Sequence, residues 1–98
     1  MEMVETGSDQ IKKALVTLAI EQTLLEFGMP ALEKVSNKLF EDYHCYLSDC
    51  YHKPEYLNKV LRDLFGNSHT VIVQSIRKRL EQVASQDPIK NFLAKISE

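Results

Sequence analysis

The chain has 98 residues, 44% hydrophobic and 27% charged, a composition far from that of disordered segments and enough for one domain with its own core. A formal net charge of -2 weighs against non-specific affinity for nucleic acid or anionic membrane, which call for a positive field. The longest apolar run, ALVTLAI at 14–20, falls far short of the roughly 20 residues that cross a bilayer.

The N-terminus, MEMVETGSDQ, is acidic and has no basic stretch followed by an apolar run, so it does not read as a secretory signal. The expected compartment is the cytoplasm, where thiols stay reduced. Residues 1–7 are expected to form a disordered tail, and residues 8–98 a single helical domain. Ser8 and Asp9 offer an N-cap, and a first helix is predicted from about residue 9 to Phe27. Ile11, Ala14, Leu15, Leu18 and Leu25 fall on one face. Val16, Ile20, Leu24 and Phe27 fall on another. That width predicts a helix packed on two sides near the centre of the fold.

Gly28 closes this helix and Pro30 opens the next, where no backbone donor is needed. Leu32, Val35, Leu39 and Tyr43 recur at three- and four-residue spacing, with Lys34 and Lys38 facing outward. Pro54 opens a third helix in the same way, with Leu57, Val60, Leu61, Leu64 and Phe65 as its buried stripe and Gly66 as its stop. Asn67 or Ser68 caps a fourth helix predicted to reach about Ala84, with Ile72, Val73, Ile76, Leu80 and Val83 inward. Asp87-Pro88 then caps a last helix carrying Ile89, Phe92, Leu93 and Ile96. No segment alternates as a strand does. The predicted fold is all-α, a single compact orthogonal or antiparallel bundle of about five helices joined by short connections.

The versatile residues gather between the second and third helices. Residues 43–56, YHCYLSDCYHKPEY, hold all four tyrosines, both cysteines and two of the three histidines. His44, Cys45, Cys50 and His52 are enough ligands for tetrahedral zinc. Their spacing opposes it, because His44 and Cys45 are adjacent and the usual pairs stand two to five residues apart. The favoured reading makes the cysteines small buried hydrophobes and the histidines surface or capping groups. A Cys45–Cys50 disulfide would close a short loop, but the expected compartment opposes it. A cysteine–histidine nucleophile lacks any third orienting group, and no catalytic residue or cofactor is predicted.

Tyr43 and Tyr56 are expected to turn their rings inward. Ser48 or Asp49 is expected to cap a short turn. Tyr46, Asp49, Tyr51 and His52 are the candidate partner-binding residues, since exposed tyrosines are enriched in interface hot spots. Arg77-Lys78-Arg79 invites a helix-turn-helix reading of the third and fourth helices. Consecutive residues fan out by about 100° on a helix, so the three charges cannot share one groove.

Three stretches between Ile20 and Leu80, IEQTLLEFG, FEDYHCYLSDCYHKPEYL and VLRDLFGNSHTVIVQSIRKRL, resemble a group of small archaeal all-helical domains, the Nitrosopumilus output domains. The resemblance covers about two thirds of the chain. It implies a downstream, partner-contacting element of signal-transduction proteins and brings no catalytic residue with it. The reading from sequence is a non-catalytic module that binds another protein, with a homodimer as one form of partner. A helix-turn-helix-like nucleic-acid binder and a small zinc domain are the alternatives.

Overall fold

The computed structural model describes residues 2–98, with side chains from Asp9 onward. The expected tail over 1–7 lies outside the residues whose side chains are described. Five α-helices follow in order: α1 (Glu2–Glu26), α2 (Met29–Tyr43), α3 (Pro54–Phe65), α4 (His69–Arg79) and α5 (Ile89–Ser97). Short 3-10 turns lie at Leu47–Tyr51, Gly66–Ser68 and Glu81–Val83. No strand occurs among the described residues, and the fold is an all-α bundle.

The punctuation works largely as the residue types demand. Gly28 (φ 111°) and Gly66 (φ 54°) hold backbone conformations that a Cβ disfavours. Pro30 and Pro54 stand in the first turns of α2 and α3. Asp9 lies inside α1 rather than capping it, and Ser68 precedes α4 without a side-chain cap bond. Pro88 takes the N-cap position of α5, while the Asp87 carbonyl accepts Lys12 Nζ at 2.9 Å.

Every helix feeds one interior. Val16, Ile20 and Leu24 meet Val35 and Leu39, Leu57 and Leu61, Ile72 and Ile76, and Phe92, Leu93 and Ile96, all buried. α1 packs against α2, α4 and the 47–51 turn, while α3 packs against α2 and α5. The Cα radius of gyration, 13.0 Å, matches that of a compact chain of this length.

Two expectations are corrected. α4 ends at Arg79 rather than near Ala84. Leu80 leaves the helical region (φ -105°, ψ 15°), its N–H shared between the Ile76 and Arg77 carbonyls. The tighter turn at 81–83 bends the chain toward α5. Ile76, Leu80 and Val83 face the core in either geometry, so their spacing could not reveal the break. The second correction concerns α1. Only the Val16–Ile20–Leu24 side is covered; Ile11, Leu15, Leu18, Leu25 and Phe27 are exposed. Among the described residues no further helix lies on that side.

Candidate protein-contact site at the 43–56 corner

α2 stops through backbone geometry. His44 takes a left-handed conformation (φ 55°), and its N–H donates to the Phe40 carbonyl at 2.9 Å. The Cys45 N–H reaches the Leu39 carbonyl at 3.3 Å. The reversal sends the chain into the Leu47–Tyr51 turn. Asp49 builds the start of that turn, its Oδ2 accepting the Tyr46 N–H at 2.9 Å while its own N–H donates to the Tyr46 carbonyl at 3.0 Å. The carboxylate satisfies a donor that the helical turn leaves open. Tyr43 and Tyr56 stack face to face, centroids 4.2 Å apart and planes 3° from parallel, tying the end of α2 to the start of α3.

The candidate residues divide sharply. Tyr46 is 66% exposed and its ring lies 5.8 Å from that of Phe40, itself 49% exposed. His44 approaches the same Phe40 ring edge-on at 5.8 Å. His52 is exposed, with Nε2 4.0 Å from Asp9 Oδ2. Tyr51, expected on the surface, is instead buried at 4% exposure, and its hydroxyl donates to Asp9 Oδ1 at 2.9 Å. Asp49, also expected to be exposed, is half-buried and spends its carboxylate on the turn. Tyr51 is turned inward because the 47–51 turn packs on α1, and a ring on that side must either bury or clash.

The cysteines are both free thiols, Cys45 half-buried and Cys50 buried. Cys45 Sγ donates to the Tyr43 carbonyl at 3.4 Å. Burial pushes the Cys50 thiol up to about 12, with Cys45 and Asp49 adding to the shift. Burial, then the hydrogen bond to Asp9, raises the Tyr51 hydroxyl to about 12 as well. Among the described residues, no group of three or more His, Cys, Asp or Glu is placed to hold a metal ion. His44 is turned to Phe40 and Cys50 to the core, so the four zinc candidates do not converge.

Phe40 is the residue that the sequence reading passed over. It follows Leu39 directly and falls off the Leu32–Val35–Leu39 stripe. A large aromatic beside an apolar stripe rather than on it is the signal that could have identified it. The basic run is also resolved by geometry. Arg77 donates to Ser97 Oγ on α5 at 2.9 Å. Arg79 Nε donates to the buried Thr23 Oγ1 at 3.1 Å, and Arg79 pairs with Glu26 on α1. Two of the three cations thus brace the bundle on opposite sides of α4. No helix among the described residues is long and apolar enough to cross a membrane.

Comparison with protein-family models, with curated proteins and with solved structures finds no match in any of the three.

Proposed function

We propose that the chain is a non-catalytic protein-interaction module whose contact face is the corner around Tyr46. The observation that carries this reading is the exposed Phe40–Tyr46 pair. Large aromatic rings are expensive to leave in water, and they dominate binding energy where they meet a partner. Here they are displayed on a corner fixed by the Asp49–Tyr46 hydrogen bond and the Tyr43–Tyr56 stack. A rigid aromatic platform loses little freedom on binding. His44 borders the platform, its ring edge-on to Phe40. The resemblance to the Nitrosopumilus output domains supports a more specific role, as the output element of archaeal signal transduction.

The nucleic-acid alternative draws less support, because Arg77 and Arg79 are already engaged within the chain.

The test uses the chain as bait in a native extract. Phe40→Ala and Tyr46→Ala should fold as the parent does and lose the captured protein. Capture of the same protein by both variants would overturn the assignment of this face.

A further inference from the structure

We draw no further inference here: the strongest candidate, the exposed Ile11–Leu15–Leu18–Leu25 ridge of α1 with the groove it shares with the 78–83 segment, is an unpartnered apolar face, and nothing in the structure shows what covers it.

Discussion

Asn58 on α3 and Ile96 on α5 are joined by a buried hydrogen bond across 38 residues, Nδ2 donating to the Ile96 carbonyl at 3.1 Å. The same amide donates to the Lys95 carbonyl at 3.1 Å. His69 Nε2 reaches the Ile96 carbonyl at 3.0 Å, and Arg62 Nε donates to Asn58 Oδ1 at 3.0 Å. The last carbonyls of α5 have no partner within their own helix. Two side chains from α3 and α4 supply the donors instead.

Removing that cap strands buried acceptors. Asn58→Leu keeps the volume but takes away both donations, and it should cost about 1–3 kcal/mol in urea denaturation. A carbonyl only accepts, so His69 must carry a proton on Nε2. Nitrogen-detected imidazole spectra of the neutral protein should show the Nε2–H tautomer.

Arg79 should matter more through Thr23 than through Glu26. The Thr23 hydroxyl is fully buried and accepts from Arg79, while Glu26 is largely exposed. Arg79→Met should destabilise by about 1–2 kcal/mol, and Glu26→Gln by less than about 1 kcal/mol. Equal losses in chemical denaturation would place the weight on the ion pair instead.

Alkaline pH should loosen the corner. Cys50 and Tyr51 are both held neutral, with folded pKa values raised to about 12 from 9.0 and 10.0. Their contribution is complete below the unfolded values. It falls as pH rises, because the unfolded chain gives up its protons first, and it is gone above the folded values. Stability should therefore be flat to about pH 8.5 and decline toward about pH 12. Cys50 alone accounts for about 2 kcal/mol by about pH 10.5. Denaturation midpoints across that range check this, and Cys50→Ala should flatten the decline.

The two tyrosines that flank the 47–51 turn should behave oppositely. Tyr46→Ala should shift stability by no more than about 0.5 kcal/mol, the range of ordinary surface changes. Tyr51→Ala empties a buried site and should cost about 3 kcal/mol or more. Thermal melts of the two variants separate the roles.

Thiol chemistry offers a further check. Ellman's reagent should titrate Cys45 in the native protein and leave Cys50 until the chain unfolds. Cys45→Ser should remove the native reaction entirely.

Helix content was legible because it is local. Gly28 and Gly66 stop helices, Pro30 and Pro54 start them, and the spacings of Val35–Leu39 and Leu57–Val60–Leu61 mark the covered side without reference to the rest of the chain. The gathering of tyrosines and cysteines at 43–56 was equally visible. What lay beyond reach was every question about which surface meets which. Tyr46 and Tyr51 are the same residue type five positions apart; one is exposed and the other buried because the turn between them packs on α1. The apolar residues of α1 predict burial on two sides, but only neighbours can cover a face, and the bundle places all of its helices on one. Burial is a property of pairs of elements, and residue type and spacing along one element cannot contain it.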